Sequence, residues 1–123
     1  KNELPNAARP RICPVRWHEP FGLAVIESLY FGCPVFSTPY GALPELVPAH
    51  CGQLSAHAQE LADAIGRGGW SARACHEHVV QHFGAETMAR AYLQVYERVL
   101  AGETLHAQHP VIQGVARDLP WGD

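Results

Sequence analysis

The chain has 123 residues, of which 47% are apolar and 17% are charged. This length allows one domain with an ordinary hydrophobic core and excludes a two-domain enzyme. The formal charge of -3 excludes the basic surface that nucleic-acid binding needs, and no stretch approaches the roughly 20 consecutive apolar residues of a membrane span. We therefore expect one globular module cut from a longer protein, with no nucleic-acid partner and no membrane span.

The first third of the sequence predicts a β-α-β unit. Residues 11–15 form a short apolar run typical of a buried strand, with Pro14 placing it at a strand end or sheet edge. Residues 21–31 are apolar almost all round and are followed by Gly32 as a helix stop, and residues 34–38 predict a second buried strand. Because parallel strands need a long crossover, this order predicts two parallel strands with a helix packed on the sheet.

The rest of the sequence predicts mostly helices. Pro44 begins one helical turn, residues 52–54 predict a third short strand, and residues 60–65 carry helical spacing. A further helix runs from its N-cap Ser71 to about His82. A last helix, Glu86 to Leu100, has one apolar side formed by Met88, Ala91, Tyr92, Val95, Tyr96 and Val99.

These elements predict the fold class and the domain organisation together. The fold is α/β, a partial Rossmann-like arrangement of three layers, with a βαβ unit followed by C-terminal helices. Residues 1–101 form this domain, and residues 102–123 carry no sustained period and predict an extended C-terminal tail.

Four cysteines lie 18 to 24 residues apart without a CxxC pair: Cys13, Cys33, Cys51 and Cys75. This spacing differs from that of a zinc ribbon or a dense disulfide scaffold. Each cysteine lies among apolar neighbours, which predicts buried free thiols in a reducing compartment.

Two glutamates stand out in and before the first helix. Glu27 lies about 40 degrees from Leu23 on a helical wheel, inside an apolar stripe, so we expect a carboxylate that snorkels at the sheet edge, pairs with a core donor or receives ligand hydroxyls. Glu19 lies on the loop that leads from the first strand into this helix. Ligands of open α/β sheets bind at the carboxyl ends of the strands, where this loop begins. Glu19 therefore either lies at the mouth of a ligand site or is an ordinary acidic residue that the helix dipole stabilises.

Two glycine-containing segments accompany these glutamates. Gly22 leaves room for a ligand to approach the backbone at the start of the helix. The segment Gly41-Ala42 follows the next strand at the same sheet edge and can present consecutive N–H groups there, although such loops also occur without a ligand.

The residues around these glutamates carry a family resemblance. WHEPFGLAVIESL over residues 17–29, then GCPV over 32–35 and GALPELV over 41–47, resembles the E-x7-E region of retaining GT-B glycosyltransferases of the family-four type. The resemblance covers roughly Ala8 to Leu100 and implies the C-terminal part of a donor-binding domain.

The resemblance implies a role for each matching residue. Glu19 is the catalytic position against the donor sugar, and Glu27 holds the nucleotide ribose hydroxyls. The other implied donor-binding residues contact sugar hydroxyls or lie beside the diphosphate: Phe21, Gly22, Leu23, Gly41, Ala42 and Leu43. Glu45 is expected to cap or brace its own helix and not to be catalytic.

The resemblance also implies the partners. The donor is a UDP-, GDP- or ADP-linked sugar, the acceptor is a glycan or glycoconjugate of polysaccharide biosynthesis, and transfer retains the anomeric configuration without a metal or other cofactor. The basic residues that clamp the phosphates and the N-terminal GT-B domain have no counterpart here, so we expect a donor-domain fragment that is inactive alone. The implied location is cytoplasmic, with peripheral inner-membrane attachment as the open alternative.

Two other interpretations remain. The first is a non-enzymatic module that binds nucleotide sugars or forms a homo-oligomer through its open sheet edge. The second is a metal site on one helical face formed by Cys75, His78 and His82, which lacks a visible fourth ligand. We therefore predict no metal site.

Overall fold

The protein is described by a computed structural model that covers residues 9–111, 114 and 119–122. Its elements in chain order are β1 (Arg11–Ile12), α1 (Leu23–Tyr30), β2 (Val35–Ser37), α2 (Leu43–Leu46), β3 (Gly52–Leu54), α3 (Ala58–Arg67), α4 (Ala72–His82) and α5 (Ala85–Leu100). The strands form one parallel sheet in the order β1-β2-β3. The α/β class and the βαβ unit predicted from the sequence are confirmed.

The middle strand, β2, separates two apolar layers. Successive side chains of a strand point to opposite faces of the sheet. Val35 packs in the cluster that contains α1 and α4, whereas Phe36 packs with Leu61 and Ala64 of α3. Because both residues are almost completely buried, the sheet is covered on both faces and the fold has three layers.

The first strand is shorter than the predicted 11–15 run. Its ladder continues to the Cys13 N–H, which donates to the Phe36 carbonyl at 2.9 Å. The N–H groups of Arg11 and Cys13 face β2, so the missing N–H of Pro14 lies on the open side of this edge strand and removes no hydrogen bond from the ladder. Beyond it, the Thr38 hydroxyl donates to the Val15 carbonyl at 2.5 Å, so a side chain of the following loop replaces backbone pairing at Val15.

The first helix buries a different face from the one expected. Val25, Ser28 and Leu29 are its buried residues, whereas Leu23 is 68% exposed. Glu27 lies on the same side as Leu23 and is exposed, so the prediction that its carboxylate is buried in the apolar stripe is wrong. The helix is apolar on both sides, and its packing against α4 and the sheet decides which side is covered.

Gly32 ends α1 and allows α4 to approach it. The Gly32 N–H donates to the Leu29 carbonyl and the Cys33 N–H to the Ser28 carbonyl, both at 2.9 Å. This is a Schellman motif with glycine in the left-handed region at φ +78°. A Cβ at Gly32 would lie 2.9 Å from the Cβ of Ala72, so glycine is also needed for the close contact between the two helices.

The predicted third strand and the later helices are present. Ser71 caps α4 by accepting a hydrogen bond from the Ala74 N–H at 3.3 Å, as predicted. The helix α5 has no buried residue, and its predicted apolar side is open to solvent among the described residues, with Tyr92 56% exposed. None of the helices in these ranges is long and apolar enough to cross a membrane.

The described end of the predicted tail packs against α3. The Ala58 N–H donates to the Gly122 carbonyl, and the Gly122 N–H donates to the Ala56 carbonyl, both at 2.8 Å. Leu119 is buried, and Trp121 packs on the cluster around Phe36. Residues 112–113, 115–118 and 123 lie outside the described residues, and the domain boundary at residue 101 stays a prediction.

We expect Leu29→Ala to lower the free energy of unfolding by about 2 to 5 kcal/mol, because it removes a completely buried side chain between α1 and the sheet. Leu93→Ala is the matched control, since Leu93 is 59% exposed on α5 and should change stability by less than about 0.5 kcal/mol. Urea unfolding of both variants measures the difference, and equal losses would contradict the packing described for α1.

Candidate functional site

A cavity of about 230 Å³ lies beyond the carboxyl end of β1. Parallel α/β sheets bind ligands at this edge, because the loops that follow neighbouring strands meet there. The cavity is lined by residues of the loop before α1, the first turns of α1, β2 and α2: Cys13, Val15, Trp17, Glu19, Gly22, Leu23, Ala24, Val25, Ser37 and Leu43.

Glu19 is held at the mouth of this cavity by two groups. The Trp17 indole N–H donates to one carboxylate oxygen, Oε2, at 3.0 Å. The Ala42 N–H donates to the Glu19 backbone carbonyl at 2.8 Å. The first contact orients the half-buried carboxylate, and the second ties its loop to the loop that follows β2.

The contact between the two loops depends on Gly41. Its backbone is in the left-handed region at φ +63°, which glycine adopts without strain. A Cβ at this position would lie 2.3 Å from the backbone nitrogen and from the carbonyl oxygen of Glu19. Only a residue without a side chain therefore allows the loops to approach this closely.

The start of α1 opens into the cavity. Leu23 and Ala24, the first two residues of the helix, line it. The first N–H groups of a helix have no partner inside the helix, and no side chain caps α1. Its first turn also contains no acidic residue. These N–H groups and the positive end of the helix dipole favour a negatively charged ligand group at this point.

The structure brings part of the predicted site together. Four of the eight predicted residues line the cavity: Glu19, Gly22, Leu23 and Leu43. Gly41 and Ala42 do not line it, but they contact the backbone of Glu19 directly. Their placement at one edge of the sheet agrees with the sequence argument, while the ligand roles of all eight stay predictions.

Phe21 and Glu27 lie outside the cavity lining. Phe21 is 46% exposed, and Glu27 is exposed one helical turn after Leu23. Since Leu23 lines the cavity, Glu27 follows it along the same side of α1, away from the sheet. A ligand that contacts both Glu19 and Glu27 would therefore extend from the cavity along the outer face of the helix.

The electrostatics of the cavity are one-sided. Of the described residues, its lining contains the carboxylate of Glu19 and no basic side chain. Sequence reasoning included Trp17 in the motif over residues 17–29 but gave it no role, although its position two residues before Glu19 was the available signal. The cavity can hold a sugar-sized group against a carboxylate and a helix N-terminus, whereas a strongly anionic ligand needs cations from elsewhere.

A second group of reactive side chains lies where the loop before β3 meets α4. One ligand atom from each of His50, Cys51 and His78 lies within 4.8 Å of the other two. Sequence reasoning considered a different set on α4, in which His82 joined Cys75 and His78. The His82 ring centroid does lie 5.0 Å from that of His78, but His82 does not belong to the cluster.

The cysteine of this cluster, Cys51, lies close to a second buried thiol, Cys75. Cys51 and Cys75 are completely buried and all four cysteines are free, so the prediction of free thiols is confirmed, with Cys13 and Cys33 only half-buried. The hydrogen bond with Cys75 raises the pKa of Cys51, and burial raises it further. The same hydrogen bond lowers the pKa of Cys75. Cys75 therefore ionises more readily than Cys51.

His78 is held in a defined orientation. Its Nε2 lies 3.2 Å from the Leu46 carbonyl oxygen, and because a carbonyl only accepts, Nε2 carries the proton. Burial lowers the pKa of His78, and the neighbouring His82 and His50 lower it further against the opposing effect of the Leu46 carbonyl. The neutral imidazole is therefore favoured.

Comparisons with known proteins find similarity to glycosyltransferases. The sequence matches the family described as Glycosyl transferases group 1 over residues 1–67, more than half of the chain. A search of curated protein sequences finds no match. Among solved structures, the chain is similar to AviGT4, a glycosyltransferase involved in avilamycin A biosynthesis, with a TM-score of 0.62 and 27% identity. The match covers 80% of this chain and 32% of that protein, so this chain spans about a third of its length.

We expect Gly41→Ala to lower stability by about 1 to 3 kcal/mol and to separate the loop after β2 from Glu19, because the added Cβ overlaps the Glu19 backbone. Gly66→Ala is the control: a Cβ there meets nothing within 4 Å, and alanine favours the helix by about 1 kcal/mol. Thermal unfolding measures the loss of stability, and the change in tryptophan fluorescence, to which Trp17 contributes beside Trp70 and Trp121, reports the separation of the loops. A Gly41→Ala variant as stable as Gly66→Ala would contradict the loop contact.

Proposed function

This chain belongs to the group 1 glycosyl transferases, and from that premise we propose that it is the donor-binding part of a retaining GT-B enzyme of the family-four type. The enzyme transfers a sugar from a nucleotide sugar to a glycan or glycoconjugate acceptor in cytoplasmic polysaccharide biosynthesis. The observation that carries the proposal is the direct contact between the Glu19 loop and the Gly41–Ala42 loop beside the start of α1.

Glu19 is the proposed catalytic residue. Glycosyl transfer develops positive charge at the sugar ring as the diphosphate departs, so an oriented carboxylate near the ring stabilises the transition state. The Trp17 hydrogen bond fixes that orientation before the donor binds. A carboxylate that is already oriented loses little conformational entropy when the reaction proceeds.

The start of α1 and the outer side of the helix are proposed to bind the rest of the donor. The N–H groups at the first turn suit the diphosphate, whose negative charge increases as it leaves. Glu27, exposed one turn further along, suits two ribose hydroxyls, since an ionised carboxylate accepts two hydrogen bonds. Gly22 and Leu23 contribute backbone and van der Waals contacts at the sugar.

The phosphate cations are proposed to come from a part of the enzyme outside this chain. Among the residues that the structure describes, no basic residue lines the cavity, and a diphosphate leaving group needs cationic or equivalent stabilisation. We propose that lysine or arginine from that part supplies it and that no metal takes part. The 123-residue chain then binds the donor weakly and does not catalyse transfer alone.

The alternative is a binding module without catalysis, which the one-sided charge of the cavity favours. Such a module would also use β1 as an oligomerisation edge, where Ile12 is 60% exposed. The alternative predicts nucleotide-sugar binding without transfer even in the longest protein that contains this chain. Transfer by that protein therefore distinguishes the two.

We expect one of UDP, GDP or ADP, or its sugar conjugate, to raise the thermal stability of the chain. At about 100 times the dissociation constant, a ligand adds roughly 2.7 kcal/mol to the free energy of unfolding. The shift should disappear in Glu27→Gln and persist in Glu45→Gln, an exposed glutamate on α2. A nucleotide shift that survives in both variants would remove Glu27 from the ribose site.

In the longer enzyme we expect different kinetic effects of the two glutamates. Glu19→Gln should lower kcat by about 100-fold or more with little change in KM, because the carboxylate acts on the transition state. Glu27→Gln should raise the donor KM roughly 10- to 150-fold, because a hydrogen bond to a charged group contributes about 1.5 to 3 kcal/mol. Steady-state transfer assays measure both, and negligible effects of both changes would contradict the proposal.

A further inference from the structure

We propose that His50, Cys51 and His78 bind one zinc-class divalent ion, with the Cys75 thiol as the fourth ligand. The site joins the loop before β3 to α4. It lies outside the cavity, since none of the four residues lines that cavity, and it has no part in sugar transfer. The proposal departs from the sequence-based prediction of no metal site because the structure brings together two segments that no spacing rule connects.

The chemistry of the ligand set points to zinc. Two imidazoles and two thiols are the set that structural zinc sites use in tetrahedral geometry. Carboxylate and carbonyl oxygens, which calcium and magnesium prefer, are not among the four ligands. In a reducing compartment the two imidazoles and the two thiols stay available to a metal ion. The structure agrees, since every cysteine of the chain is a free thiol.

The distances are close to those of a filled site. Ligand atoms bound to zinc at about 2.0 to 2.3 Å in a tetrahedron lie roughly 3.3 to 3.8 Å from one another. In the structure one atom from each of His50, Cys51 and His78 lies within 4.8 Å of the others. Side-chain rotations that shorten these separations by about 1 Å complete the geometry, and the exposed His50 imidazole has the freedom to make one.

His78 already has the arrangement of a metal ligand. Metal-binding histidines commonly donate the N–H of one ring nitrogen to a carbonyl or carboxylate and bind the metal with the other. The Nε2–H of His78 donates to the Leu46 carbonyl, which leaves Nδ1 for the metal. The backbone of α2 therefore orients the ring before any ion binds.

The two thiols supply the sulfur ligands. Cys51 and Cys75 are both completely buried, and Cys75 precedes His78 by three residues on the same face of α4. Cys75 also contacts the Cys51 carbonyl, with its sulfur 3.9 Å from the oxygen. Cys75 is not one of the three grouped residues, so its side chain must rotate to reach an ion at the Cys51 sulfur, and binding of both sulfurs as thiolates releases both thiol protons.

The direct test is a titration of the full 123-residue chain with Co²⁺ under anaerobic conditions with a reductant that contains no thiol. Tetrahedral cobalt gives intense visible bands, and thiolate ligands add a near-ultraviolet charge-transfer band. We expect saturation at one ion per chain, displacement by one equivalent of Zn²⁺, and a higher unfolding temperature with zinc. Absence of saturable binding, or an octahedral spectrum without thiolate bands, would overturn the proposal.

Single variants assign the ligands. His50→Ala, Cys51→Ala and His78→Ala should each weaken Co²⁺ binding by about 100-fold or more, and Cys75→Ala should remove part of the thiolate band. His82→Ala and Cys33→Ala are the matched controls and should bind like the unchanged chain. His50 is exposed, so its variant keeps the core intact even where a buried cysteine variant does not fold. Unchanged binding in His50→Ala, or equal loss in His82→Ala, would disprove the assigned ligands.

This test is independent of the proposed glycosyltransferase function. Metal binding is read from cobalt spectra and stability, whereas donor binding is read from nucleotide-dependent stability and transfer. Either proposal can therefore be disproved while the other is supported.

Discussion

The complete burial of β2 is the constraint on which the rest of the fold depends. Val35 and Phe36 alternate into two apolar layers, so helices must cover both faces of the sheet. Parallel pairing of β2 with both neighbours then places the carboxyl ends of the strands at one edge. The loops after β1 and β2 leave the sheet at that edge, and the site forms there for this reason.

Backbone contacts, more than side chains, set the geometry of the site. Ala42 binds the Glu19 carbonyl, and Gly41 permits the approach, so the two loops form a rigid pair around the carboxylate. The start of α1 adds partial positive charge without a cationic side chain. The cavity thus combines a fixed anion with fixed backbone dipoles. Because the described lining supplies no cation, we propose that the cations for the diphosphate come from another part of the enzyme.

The sequence and the structure agree on the positions of the elements and differ on their exposure. The Schellman end of α1 at Gly32 and the Ser71 cap follow from local chemistry, and local chemistry is visible in a single sequence. Local chemistry does not predict that Glu27 is exposed or that the apolar side of α5 is open to solvent. A helix that is apolar on two sides carries no preference for either until a neighbouring element covers one.

By itself, the sequence determined the α/β order, the parallel crossover and the place of Glu19 and Gly41 at one edge of the sheet, because periodicity, breakers and crossover rules act over short stretches of chain. Only the tertiary structure decided that Glu27 is exposed, that residues 119–122 pack on α3, and that His50 lies beside His78. Each of these depends on contacts between segments that are distant in sequence. The packing of α4 against α1 and of the tail against α3 creates those contacts, and no local pattern encodes them.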